Sequence, residues 1–198
     1  MKNLIKDILV IQLAKMGDIL QTTPLLYRIR EKYPEAGLAL LVDSTFAEVS
    51  SGVQFVDEVI PFDLTSIHCV TNDSKLSLFE KYTYLVEQLA PVRERRFDII
   101  YNINFSKMTA ILSQFFRDSM IIGYRLQPKT GAILKTGWAG LIFHLMRYRK
   151  MVRFNLADLW ASYENGLSKP ARRLFYDGNG TGDIQVDLPV DSPGIGLQ

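Results

Sequence analysis

Cysteine is nearly absent: Cys69 is the only one in 198 residues. No internal disulfide can form, which excludes the disulfide-stapled secreted scaffolds and fits a reducing compartment. Cys69 lies in no motif and reads as a small, half-buried apolar side chain. Histidine is scarce too. His68 and His144 are far apart, and no H-E-x-x-H pair or Cys/His cluster offers a zinc site. His144 sits in an apolar stretch and reads as a core or interface residue. No Gly-Lys-Ser/Thr follows a spaced glycine, so a P-loop is excluded. No G-x-G-x-x-G follows the first apolar run, so the dinucleotide fingerprint is missing as well.

Long hydrophobic runs are also lacking. None reaches the roughly 20 apolar residues that a membrane-spanning helix needs. The opening MKNLIKDILVIQL is basic and then apolar, but Asp7 interrupts it and no small-residue cleavage site follows, so it reads as a core strand rather than a signal peptide. Neither sign of charge dominates. The net charge of +2 leaves the whole-molecule field uninformative about partners. No internal repeat is found. Residues 177–183, DGNGTGD, imitate the start of a calcium loop, but the twelfth position is Leu188 and the flanks are not helical.

What is present is ordinary globular composition, 47% apolar and 22% charged, with length for one full domain and some more. Residues 8–13 read as a fully buried strand, short, β-branched and continuous. An apolar stripe over 19–33 predicts a helix. Residues 38–42 predict a second strand, 46–50 a short helix and 56–62 a third strand. Residues 63–76 read as a loop, with Asn72, Asp73 and Ser74 as turn formers. Ser77 and Glu80 make a capping box. It opens a helix whose apolar face is Leu78, Phe79, Tyr82, Leu85, Val86 and Leu89, with Pro91 near its end or at a kink. A fourth strand over 99–103, a helix over 107–116 and a fifth strand over 120–123 follow. Strands alternating with helices imply βαβ units: an α/β fold, a Rossmann-like parallel sheet with helices on both faces.

Residues 124–150 break the pattern, with basic residues around the apolar centre WAGLIFHLM. An amphipathic helix over 152–163 closes the domain, and Asn165-Gly166 is its stop. Gly, Pro and Asp then dominate. The expected organisation is a domain over 1–166, a linker over 167–193 and, in 194–198, the start of a strand.

The informative stretch is residues 13–26, LAKMGDILQTTPLL. Asp18 stands where the first strand hands over to a helix, and two readings are open. In the first it is the N-cap, with Gln21 completing a capping box and Gly17 permitting a tight turn. Pro24 then requires a kink, or a helix that begins at Thr23 with Pro24 at its first position. In the second, Asp18 faces a ligand, because open parallel sheets bind ligands at the carboxyl ends of their strands. Lys15 stands beside it. Ser106 and Lys107 hold the equivalent place after the fourth strand, and Arg125 follows the fifth. One carboxylate and several cations on a rim suit an anionic, hydroxyl-bearing ligand; a solvated rim is the structural alternative for the cations.

The segment ILVIQLAKMGDILQTTPLLYRIREKYPEAGLALLV resembles the opening of the heptosyltransferase family, bacterial glycosyltransferases that extend the lipopolysaccharide core. The likeness rests on Gly17, Asp18, Ile19, Leu20, Thr22, Thr23, Pro24, Tyr33 and Pro34. VDEVIPFD and RRFDIIYNINFSKMTAILSQFF…IIGY add to it, and it covers about residues 6–165. It implies the N-terminal, acceptor-binding half of a GT-B fold. The missing partner would be a nucleotide-sugar-binding domain whose first strand begins at GIGLQ. It implies transfer of a heptose-like sugar from ADP-heptose to a glycolipid of the lipopolysaccharide type, inverting, with Asp18 as general base and no metal or other cofactor. Lys15, Gly17, Ser106, Lys107 and Arg125 are then candidates for acceptor binding. The place implied is the cytoplasm, at the inner face of the bacterial inner membrane. No nucleic-acid partner is expected.

Residues 129–153 allow two readings, an interfacial segment on anionic lipid or a helix packed on the sheet with basic ends. Two other functions stay open. One is a non-catalytic Rossmann-like module that holds a nucleotide or phosphosugar. The other is a membrane-docked scaffold.

Overall fold

β1 (Asp7–Gln12) is buried from Ile8 onward and forms the centre of the molecule. The structure is a computed structural model and describes residues 5–116, 118–127, 129–135, 137–148, 155–165, 173–176 and 184–187. The remaining strands of the main sheet are β2 (Gly37–Asp43), β3 (Glu58–Phe62), β4 (Ile99–Asn102), β5 (Met120–Leu126) and β6 (Ile133–Lys135). They lie in the order β3-β2-β1-β4-β5-β6. All neighbours are parallel except β6, which runs antiparallel to β5. The expected parallel α/β sheet with helices on both faces is what forms.

Alternation divides the core in two. Ile8, Val10, Tyr101 and Tyr124 face one cluster. It is covered by α1 (Met16–Lys32), α6 (Trp138–Arg147) and α7 (Leu156–Asn165). Leu9, Ile11, Leu41 and Ile100 face the other. That side is covered by α3 (Leu64–Asn72), α4 (Leu78–Arg93) and α5 (Lys107–Leu112). A 3₁₀ turn, Ser44–Phe46, and α2 (Ala47–Ser50) follow β2. β1, β2 and β4, each flanked by a strand on both sides, are buried almost throughout.

Several expectations need correction. α1 neither starts at Thr23 nor breaks at Pro24: it runs from Met16 to Lys32 with Pro24 inside it. Proline leaves the carbonyl four residues back, Leu20, without its helical donor. The Thr23 hydroxyl donates to that same oxygen at 2.7 Å, so the carbonyl is satisfied and the helix continues. Residues 63–76 are not all loop. Asp63 caps α3 by accepting from Ser66 N at 2.8 Å, and Ile67 is buried. The Ser77–Glu80 capping box forms as expected, but α4 carries on through Pro91 to Arg93. Its apolar face is only half used. Leu89 and Val92 are buried, whereas Leu78, Phe79 and Tyr82 are 85%, 77% and 61% exposed.

β5 extends three residues beyond the expected end, and β6 pairs with the extension. Gly123 makes this possible. It has φ +106°, and a Cβ there would overlap the carbonyl oxygen of Asn102. Cys69 and His144 are both exposed, not buried. The stretch containing His144 is α6, packed through Ala139 and Ile142, with His144 on the outer side. Inside the expected linker, β7 (Arg173–Tyr176) and β8 (Ile184–Asp187) form an antiparallel pair. The calcium-like loop and the final GIGLQ lie outside the described residues.

α7 is fastened to α1 by polar contacts at the end of the core. The Arg28 guanidinium donates to Ala161 O at 2.9 Å, and Lys32 pairs with Glu164. Glu164 also accepts from the Tyr101 hydroxyl, and its side chain is 2% exposed. Burial first, then this hydrogen bond, pushes the Tyr101 phenol far above its ordinary value, so it stays a donor.

Candidate functional site

The connection after β1 runs to β2 on one side of the sheet, and the connection after β4 runs to β5 on the other. β1 and β4 are neighbours, so their carboxyl ends mark the point where the strand order reverses. A crevice opens at such a point. Two short loops border it, residues 13–15 and 103–106.

A buried polar network ties these loops together. Gln12 is fully buried at the end of β1. Its Nε2 donates to Thr22 Oγ1 at 2.9 Å, and its Oε1 accepts from Asn104 Nδ2 at 2.6 Å. Asn104 Oδ1 accepts from Leu13 N. Thr22 Oγ1 donates to the Asp18 carbonyl at 2.8 Å. The first turn of α1 is thereby referenced to both strands. Neither Gln12 nor Asn104 figured among the candidates from sequence. The available signal was a glutamine closing an otherwise apolar buried run, since a buried amide needs partners.

Asp18 is not the cap of α1. Lys15 holds the N-cap position, with no side-chain cap, and Asp18 lies in the first turn. The capping box with Gln21 does not form; Gln21 Oε1 is buried with no hydrogen-bond partner among the described residues. The Asp18 side chain, half-buried, makes no hydrogen bond or ion pair among the described residues. Gly17 is exposed and helical, and a Cβ there would meet nothing within 4 Å. The tight-turn explanation for Gly17 therefore falls away. What glycine leaves at this position is open space beside Asp18.

Across the crevice, Ser106 is the N-cap of α5. Its hydroxyl accepts from Thr109 N at 3.0 Å, so it is committed to that helix. Lys107 is the first residue of α5 and is exposed, as is Lys15. Neither cation is paired among the described residues. Phe105, 48% exposed, is an aromatic wall that sequence reasoning missed. Its ring lies 5.2 Å from that of Tyr124 and 4.3 Å from that of Phe143. Burial pushes the Tyr124 phenol up to about 12, and its hydroxyl donates to Ala139 O, so it stays neutral.

Arg125 is not brought to this rim. It lies within β5, one residue after Tyr124, and so on the sheet face opposite to α1. There it lines a separate hollow. Lys15, Gly17 and Asp18 follow β1, and Ser106 and Lys107 follow the neighbouring β4, so both groups lie at the same end of the sheet; Arg125 lies within β5. Among the described residues no group of three His, Cys, Asp or Glu side chains could hold a metal ion.

No family model matches the sequence, and no curated protein matches it. Solved structures do. The E. coli heptosyltransferase WaaC with ADP is 17% identical, with a TM-score of 0.57, and the match covers 86% of this chain and 51% of that one. WaaC with ADP-2-deoxy-2-fluoro heptose gives the same values. A family 9 glycosyl transferase from Veillonella parvula is 18% identical, with a TM-score of 0.56 over 86% and 44% of the two chains. The fold is shared with heptosyltransferases. The chain spans about half the length of these structures. No described helix is long and apolar enough to cross a membrane.

Proposed function

We propose that this chain is the acceptor-binding half of an inverting glycosyltransferase. The sugar is heptose-like, the donor a nucleotide-sugar of the ADP-heptose type held by a second domain, and the acceptor a glycolipid. The observation that carries the reading is Asp18, a carboxylate without a hydrogen bond or ion pair among the described residues, at the reversal point of the strand order. The ADP and the fluorinated ADP-heptose in the WaaC structures support the donor class.

Asp18 accepts the proton of an acceptor hydroxyl as that oxygen attacks the anomeric carbon. The bond from that carbon to the nucleoside diphosphate breaks on the opposite side, and the leaving group carries away the electron pair. Lys15 and Lys107 flank the crevice and balance anionic groups of the acceptor. The open space above Gly17 admits the sugar. Ser106 holds α5, and with it Lys107, in position. No metal takes part in this scheme.

Transfer is measured in the protein carrying its donor-binding domain, with a panel of sugar nucleotides. Asp18→Asn keeps the shape and removes the base. Turnover falls by about 10²–10⁴, while acceptor affinity stays within about twofold. Turnover within a few-fold of the parent returns Asp18 to a structural role.

A glycolipid acceptor places the protein at the inner face of the cytoplasmic membrane. Most apolar side chains of α6 face inward, so contact from this stretch falls to Leu141, Met146, Tyr148 and the neighbouring basic residues. Anionic vesicles should co-sediment the protein, and changing Arg147, Arg149 and Lys150 to Gln should release it. Equal binding after those changes ends this part of the reading.

A further inference from the structure

The hollow beside β5 has a volume of about 570 Å³, within the range of small-ligand clefts. Its origin is a mismatch of lengths. β5 continues past Gly123, its last residue paired with β4, to Leu126. α5 stops at Leu112 and tightens into a 3₁₀ turn that ends at Phe115, too short to cover the overhang. Phe116, Ile121 and Leu134 supply apolar walls, and the backbone of Leu126 closes one side.

The polar groups in the hollow are mostly committed. The Ser113 hydroxyl donates to Ala110 O at 2.7 Å, and that of Ser119 to Phe97 O at 2.6 Å. Gln114 Nε2 donates to Leu126 O at 3.1 Å. Arg125 is different. Among the described residues its guanidinium is the one charge lining the hollow, and it has no hydrogen bond or ion pair.

We infer that this hollow binds an amphiphilic monoanion, an apolar chain ending in a carboxylate. The Arg125 guanidinium takes the head and the side chains of Phe116, Ile121 and Leu134 take the tail. One cation balances one negative charge, and the planar fork of a guanidinium matches two carboxylate oxygens. With both serine hydroxyls and one Gln114 N–H already donating to backbone, the hollow offers a single cation and few free donors, which suits a monoanion better than a dianionic phosphate. Burial of the tail against apolar walls supplies the non-directional part of the affinity. The inference stands independently of the transferase reading, since the hollow and Asp18 lie on opposite faces of the sheet.

The test is calorimetric titration of the 198-residue chain with decanoate, below its self-association concentration, with decanol as the neutral counterpart. Decanoate should bind saturably with one site, and decanol about tenfold more weakly or worse. R125Q should bring decanoate down to the decanol level, while R125K keeps intermediate affinity. L134E should abolish binding of both. Arg125 is exposed and Leu134 half-buried, and circular dichroism of each variant confirms that the fold is kept. No heat beyond dilution, non-saturating uptake, equal affinity for the two probes, or undiminished decanoate binding by R125Q would each overturn the inference.

Discussion

Gln12 ties the first turn of α1, and with it Asp18, to the loop after β4. Its amide bridges Thr22 on one side and Asn104 on the other, and Thr22 holds the Asp18 carbonyl. All of this is buried or half-buried, where an amide left without partners costs about 1–3 kcal/mol. Gly17 poses the complementary question. Helical and with free space at its Cβ, it gains nothing for stability from being glycine. Gly17→Ala should therefore stabilise the chain, by up to about 1 kcal/mol in chemical denaturation. The same methyl should lower kcat/KM for transfer, since it fills space beside the carboxylate. A rise in stability with unchanged transfer would show that no substrate approaches there. Asp18 itself stood out in the sequence because a charge stands where the first strand hands over to a helix. Gln12 and Asn104 did not, because an amide announces its need for partners without saying which residues supply them.

At the scale of elements, α1 shows how a proline can be housed inside a helix. Pro24 removes one donor, and the preceding residue provides a substitute. Thr23→Val keeps the volume and loses that hydroxyl. The Leu20 carbonyl is then left unpaired, and the chain should lose about 1–2 kcal/mol in urea unfolding. A loss within about 0.3 kcal/mol would mean that another donor replaces the hydroxyl. Capping signals were legible where they were local: the Ser77–Glu80 box is present in the structure as its spacing predicts. Asp63 and Ser66 were equally local, but the turn formers that follow masked them and α3 went unrecognised. α4 shows the limit of a periodic stripe. Its apolar face was readable, but the sheet covers only the half that carries Leu89 and Val92.

At the scale of the molecule, long-range polar contacts pin the strand starts. Asp57 accepts from Leu38 N and pairs with Arg30, both at 2.7 Å, which fastens β2 to the segment before β3. Burial pushes the Asp57 carboxyl up, but the Leu38 N–H and then the Arg30 guanidinium outweigh it and hold it below the ordinary carboxylate range. A lowered folded value means a stabilising contribution that is complete above the unfolded value. It fades as pH falls through the folded one. Asp57→Asn should thus be less stable than the parent at pH 7; the difference should begin to narrow as pH falls below about 4, and close only below the lowered folded value, where the parent carboxyl is protonated too. Urea midpoints across pH 2–7 provide the check. A gap independent of pH would assign the effect to geometry rather than charge.

The strand and helix periods, the parallel sheet and the place of Asp18 after β1 were all decided by local pattern, because burial on two faces demands continuous apolar strands and a helix demands its stripe. Other features depend on which chain segments meet. Arg125 sits behind the sheet because β5 continues past Gly123, and that continuation needs β6 at its edge and a backbone approach that no side chain could share. His144 faces outward because the sheet claims Ala139 and Ile142 instead. Residues distant along the chain choose between faces that the sequence leaves equivalent, since burial free energy follows shared surface rather than neighbouring letters.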